Sequence, residues 1–359
     1  MTPYEFLVYL LRHEASGRLP IQATAPSGDE CFWREFLSII RREGLEFFAY
    51  QELKESNWER YIPQFATDTL ATRSLISTCQ VIRKLGVVQD LHKLFSDQLI
   101  PCVWLKGAAL AESFYLRPGD RVFNDLDLLV LDEDVGKVSQ ILLTAGYVMD
   151  PCRSRWSMEL NHIVHHHLPP LRKGDIAVEV HFKLMHNDKS MLGRDLIMSR
   201  IPGKGLPHPQ LHALFLCGHL VKHAQAGQPY LRLLRDLRLV VGLDPKSWGT
   251  LENLACHYGW NSYVTTCEKW VDRLYGSSPP QVSSKDTSTV AGRNPDGLWK
   301  RFREMPGLRV KIIWLADLLF PSDPYLKMYH PAWSGWKRVF WIFRCLTKGM
   351  KRLILRRDQ

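Results

Sequence analysis

The sequence predicts an α/β protein, a small sheet interleaved with helices and carried between helical regions at both ends of the chain. Three observations predict it. Apolar positions fall at helical spacing before residue 98, short apolar runs alternate with helix-favouring stretches between 99 and 184, and helical spacing returns from 206. A length of 359 residues suggests about two domains, or one core with helical extensions.

Residues 1–97 read as a helical N-terminal region. Residues 32–40 have helix-like apolar spacing, and residues 68–95 repeat it, with Leu75, Val81, Leu85, Val88, Leu91 and Leu94 among the apolar positions. Residues 98–200 form the core. In it, 99–105 is a short apolar run that reads as a buried strand and ends at Lys106-Gly107; residues 108–112 favour a helix. A turn-rich patch over 117–121 leads to a second strand over 124–131, a helix over 134–145 closed by Gly146, and a third strand over 176–184. Residues 201–275 read as a helical domain, with helices over 211–221 and 231–241. Residues 276–297 are rich in Ser, Pro, Gly, Asp and Asn and read as a linker or mobile loop, and 298–359 as a basic helical C-terminal region.

Composition narrows the setting. Apolar residues at 45% and charged residues at 23% are ordinary for a soluble globular chain, and this length buries a substantial core without staples. The eight cysteines contain no CxxC pair and no zinc-like rhythm, which fits reduced thiols in a cytosolic protein. No basic segment precedes an apolar run at the N-terminus, and no uncharged apolar run approaches the ~20 residues of a membrane span, so a cytoplasmic location is expected. A net charge of +10 favours polyanionic partners. Much of the excess lies over 336–357, where Lys337, Arg338, Arg344, Lys348, Lys351, Arg352, Arg356 and Arg357 interleave with aromatic and aliphatic residues. Such a helix either lies on an anionic membrane or nucleic acid or docks on the core with its basic face in water.

The chemistry concentrates on the strands. Asp125 and Asp127 are two apart in an apolar strand, so both carboxylates project to one face. Two acids held that close repel, and a hard divalent cation such as Mg²⁺ relieves the repulsion. The third strand adds Glu179, with His181 and Lys183 on the same face; if the strands are neighbours, Glu179 completes a carboxylate triad. Metals held this way activate a hydroxyl and stabilise a departing pyrophosphate. The Lys106-Gly107 turn suits phosphate: Gly allows close backbone approach, the helix start offers N–H groups, and Lys106 adds a cation. A plain strand-to-helix turn is the alternative there. His165 and His167 share a strand face without a further ligand and read as structural or substrate-lining. His219 and His223 share a helix face without an HExxH pattern and can line the cleft opposite the metal site, while Asp236 has the spacing to bond to Arg232 one turn earlier and reads rather as a packing residue.

Residues 105–111, Tyr115, Arg117-Pro118, Arg121 and 124–130 resemble the signature of a bacterial family of largely uncharacterised nucleotidyltransferases of the DNA polymerase β-like superfamily. Residues 178–182 resemble its acid-x-His strand, and His219, His223 and Asp236 its downstream helical motif. The resemblance implies a small mixed sheet flanked by helices, with Asp125, Asp127 and Glu179 as catalytic residues and ligands of Mg²⁺ or Mn²⁺. It also implies Glu179 as base toward an acceptor hydroxyl, and Lys106, Gly107, Arg121 and His181 around the nucleotide. The implied reaction moves a nucleoside monophosphate from a nucleoside triphosphate to an acceptor on a small molecule, a peptide, a protein or RNA. One departure stands out. The superfamily places Gly-Ser at the helix start, and here Ala108 follows Gly107. That departure motivates the alternative of a catalytically inactive nucleotide-binding or scaffold protein of a biosynthetic gene cluster.

Overall fold

A computed structural model describes residues 1–14, 29–55, 58, 61–157, 160, 165–185, 190–275, 302–303, 305–334 and 341. The expected linker over 276–297, residues 161–164 of the histidine run, and the basic stretch over 336–357 apart from Trp341 lie outside the described residues. The chain divides into two compact units, residues 1–127 with 190–293 and residues 128–189 with 294–359.

The first unit is mainly helical. It holds α1 (Pro3–Glu14), α2 (Glu30–Glu43), α3 (Glu46–Glu55), α4 (Gln64–Asp97), strand β1 (Cys102–Trp104), α5 (Lys106–Ser113) and the start of β2 (Leu126–Val130). After the chain returns come α7 (Leu192–Met198), α8 (Pro209–Gln225), α9 (Leu231–Val241), α10 (Pro245–Tyr258) and α11 (Asn261–Tyr275). Its first helices close on an aromatic core in which Phe6 meets Phe32, Trp33, Phe36 and Trp58. The aromatic run of α2 predicts this well: its buried Phe32, Trp33, Phe36, Leu37, Ile39 and Ile40 share one face.

The 34-residue α4 buries Leu70, Ser74, Ser77, Val81, Lys84, Val88, Leu91 and Phe95. Alternating steps of four and three keep that stripe on one side along the whole helix. Leu75, expected among its apolar contacts, is instead 67% exposed because it lies off the stripe. Lys84 is buried because it serves a loop: its Nζ donates to Phe123 O at 2.5 Å. Phe123 is held from the other side by Gly107, where a Cβ would overlap Phe123 Cβ and stand 2.8 Å from its Cγ. The backbone leading into β2 is thereby fixed between α4 and α5.

The second unit holds the rest of β2, then α6 (Val135–Thr144), β3 (Val148–Met149), β4 (Leu171–Lys173), β5 (Ile176–His181), α12 (Gly307–Leu319) and α13 (Asp323–Tyr329). β3 pairs antiparallel with β4, and β4 with β5 in the register Leu171 to Val178. Buried Asp317 on α12 accepts from Ser154 Oγ at 2.7 Å and Ser157 Oγ at 2.5 Å, tying that helix to the segment after β3.

The strands form one five-stranded mixed sheet in the order β1-β2-β5-β4-β3, and the division between units falls within β2. This is the expected α/β class with helices on either side in sequence. Three strands are shorter than expected, and β3 and β4 were not expected. The second strand begins at Leu126, so Asp125 lies in the bend ahead of it. β2 and β5 are buried almost throughout, which is why they read as apolar runs.

Candidate active site

β1 runs out at Trp104, and Leu105 N donates to Asp127 O at 2.9 Å, so the end of the first strand is stitched to the acid-bearing start of the second. Lys106 then turns the chain into α5 with φ +49°, a left-handed conformation that costs a non-glycine residue roughly 1–2 kcal/mol. Two hydrogen bonds hold the strained residue. Its backbone N–H donates to His212 Nε2 at 3.1 Å, and its ammonium donates to Asp127 Oδ1 at 2.6 Å. The lysine and aspartate side chains are 17% and 3% exposed, so the pair sits where water screens it little.

Three imidazoles of α8 stand beside this turn. His212, His219 and His223 follow one another by seven and four residues, which keeps them on one helical stripe. Burial holds His212 down to about 4, and as an acceptor from Lys106 N–H its Nε2 must carry no proton. Burial and the nearby charge of Lys106 keep His219 neutral and hold His223 down to about 4. The rings of His219 and His223 meet at a tilt of 57° with their centres 4.3 Å apart. His212 was missed, although its spacing of seven from His219 was a readable signal.

Arg121 occupies a dry ion pair. Its Nε donates to both oxygens of Asp236 on α9, at 2.8 and 3.0 Å, while Tyr115 OH donates to Oδ1 at 2.7 Å. Asp236 is therefore bonded across the fold to the turn before β2. The expected bond to Arg232, one helical turn earlier, does not form, because Arg121 and Tyr115 take the carboxylate first. Asp125, partly exposed, contributes negative charge near Arg121 and Arg232.

In the second unit, β5 presents Glu179 and His181 on one face, with His181 Nε2 3.6 Å from Glu179 Oε2. His181 is buried and Glu179 is 22% exposed. The segment before β4 adds His166 and His167, whose ring centres lie 5.5 and 5.1 Å from that of His181. His167 bridges to His181 in antiparallel register, which explains the closeness.

A strand, the turn at Lys106-Gly107, a helix and a small mixed sheet are the architecture that the resemblance implies for a nucleotidyltransferase. The model of a family described as an uncharacterised nucleotidyltransferase matches residues 29–275, and the chain belongs to that family. Nucleotidyl transfer is accordingly the general chemistry of the protein. The match spans Lys106, Asp125, Asp127, Glu179, His181, His219, His223 and Asp236. No curated protein matches the chain. Among the described residues, no helix is long and apolar enough to cross a membrane.

Proposed function

We propose that this protein transfers a nucleoside monophosphate from a nucleoside triphosphate to an acceptor hydroxyl with release of pyrophosphate, Asp125, Asp127 and Glu179 holding a divalent cation, Mg²⁺ or Mn²⁺. One observation carries the reading. Asp127, Glu179 and His181 each offer one ligand atom, and those atoms lie within 4.8 Å of one another. Asp127 and Glu179 stand on strands that are neighbours in the sheet order. Two carboxylates suit a hard cation; Asp125, in the bend just ahead of β2, is not among the atoms brought within that distance, and its part in holding the cation is the reading's own addition.

A cation there supplies neutralisation of the phosphate chain and a more acidic acceptor hydroxyl. The rest falls to the chain. Glu179, with part of its side chain open to water, takes the acceptor proton. Lys106 and the backbone of Gly107 open α5 beside Asp127, and in this reading the ammonium passes from Asp127 to the phosphates when the cation takes its place. In this reading Arg121, held by Asp236, and His181, beside Glu179, are the remaining nucleotide contacts. The acceptor belongs to a small molecule, a peptide, a protein or RNA. The reading includes a cytoplasmic setting, supported by the free thiols of the seven cysteines among the described residues.

The alternative of a nucleotide-binding scaffold without turnover is favoured by Ala108, which offers no hydroxyl at the helix start. Incubation with each radiolabelled nucleoside triphosphate and Mn²⁺ separates the two. Transfer predicts label on an acceptor with matching pyrophosphate release, lost in Asp127→Asn and Glu179→Gln. Binding of nucleotide with no release under any acceptor mixture supports the scaffold, and release unchanged in both variants contradicts the metal assignment.

A further inference from the structure

Arg232 is a guanidinium without a carboxylate. It lies on α9 four residues before Asp236, the spacing at which an arginine and an aspartate ordinarily pair. Here Asp236 is already taken by Arg121 and Tyr115. Among the described residues no acidic side chain pairs with Arg232. Its Nη1 donates to Val122 O at 3.1 Å, and its Nε is covered from solvent with no hydrogen-bond partner. Gly44, the left-handed cap of α2, lies against the guanidinium: a Cβ there would overlap Nη1 and stand 3.1 Å from Cζ.

The charge is held at a cost. Burial and then the neighbouring charge of Arg121 bring Arg232 down to about 10, although Asp236 and Asp125 pull the other way. Bracing Val122 O needs only a neutral donor, so that hydrogen bond does not account for an arginine set near another arginine. The surroundings point to an anion. Val122, whose carbonyl accepts from Arg232, lies three residues before Asp125, so the guanidinium stands at the segment that leads into the acid-bearing start of β2.

We propose that Arg232 is a phosphate-recognising residue, binding a pyrophosphate or the corresponding part of a nucleoside triphosphate and supplying a donor where Ala108 supplies none. The inference rests on the transfer reading above and deepens it. The guanidinium N–H groups other than the covered Nε and the one on Val122 O can meet phosphate oxygens, and a polyanion offsets a partly buried charge that no carboxylate pairs. The hydrogen bond to Val122 O holds the guanidinium in advance, which lowers the entropy lost on binding.

The test titrates inorganic pyrophosphate into the full chain by calorimetry, with and without Mn²⁺, for wild type, Arg232→Gln and Arg232→Lys. Glutamine keeps a donor for Val122 O and removes the charge. Arg232→Gln is expected to weaken pyrophosphate binding by about 10- to 100-fold, and Arg232→Lys to recover part of the loss. Mn²⁺ affinity, read separately from the free-ion electron paramagnetic resonance signal, stays at the wild-type value in both variants. Pyrophosphate affinity within about twofold of wild type in a folded Arg232→Gln protein overturns the proposal, as does a wild-type protein that binds no pyrophosphate. If Arg232→Gln does not fold, Arg232→Lys decides: undiminished affinity overturns the forked contact. A wild-type protein that binds pyrophosphate through Arg232 but no Mn²⁺ leaves this inference standing and refutes the metal reading instead.

Discussion

Replacing Lys106 with Met removes a charge while keeping the length of the side chain, and it tests what the strained turn is for. The ammonium lies 2.6 Å from Asp127 Oδ1, in a pair whose side chains are 17% and 3% exposed. With charge centres about 4 Å apart and an effective dielectric near 20, the attraction is about 4 kcal/mol. A lysine that swings away regains water and rotamer freedom, which returns roughly half of that. About 2 kcal/mol then stands against any cation arriving at Asp127, or about 30-fold in affinity. Lys106→Met is therefore expected to bind Mn²⁺ about 10- to 30-fold more tightly than wild type, measured by the loss of free Mn²⁺ signal at pH 7.5. The same variant leaves a buried Asp127 without its ammonium, so the metal-free protein should lose about 3 kcal/mol of stability. Saturating Mn²⁺ should restore most of it in a thermal melt, because a ligand that binds only the folded state stabilises it. Nucleotide affinity should fall. Mn²⁺ affinity that is unchanged or weaker in Lys106→Met would refute the idea that lysine and metal compete for one carboxylate.

Two further outcomes follow from the same geometry. Burial lowers the folded-state pKa of His212 to about 4, below its ordinary 6.5; the unfolded chain therefore binds the extra proton first as acid is added. The stability contribution is full above pH 6.5 and is lost as pH falls from 6.5 through 4, by about 3 kcal/mol at most. His212→Gln, which keeps an acceptor for Lys106 N–H, should flatten denaturant-measured stability across that window; an unchanged slope would mean that His212 is not buried neutral. Gly107→Ala drives a methyl into Phe123, the residue that fixes the approach to β2, and should cost about 1–3 kcal/mol. Calorimetric melting checks this, and a wild-type melting temperature would show that Phe123 moves freely.

Much of the site was legible because strands and helices impose short periods. Glu179 and His181 share a face by alternation alone, and Lys106-Gly107 announced a strand-to-helix turn. What escaped was set by distance along the chain. Asp236 and Arg232 have the spacing of a helical pair, but local spacing carries no information about Arg121 and Tyr115, which lie more than a hundred residues earlier and reach the carboxylate first. Gly107 reads as a phosphate-approach glycine, yet its lack of a side chain is already required by Phe123. Strands β3 and β4 hold two and three residues, too few for any periodicity to register. Asp125 fell just outside β2 because the apolar run that defines the strand begins at Leu126.

The direct measurement of the central claim is Mn²⁺ binding to the unmodified protein and to Asp127→Asn and Glu179→Gln. The account predicts one saturable site in the wild type, with affinity sharply reduced in each variant while both melt as cooperatively as the parent. Undiminished Mn²⁺ binding in both variants would contradict it.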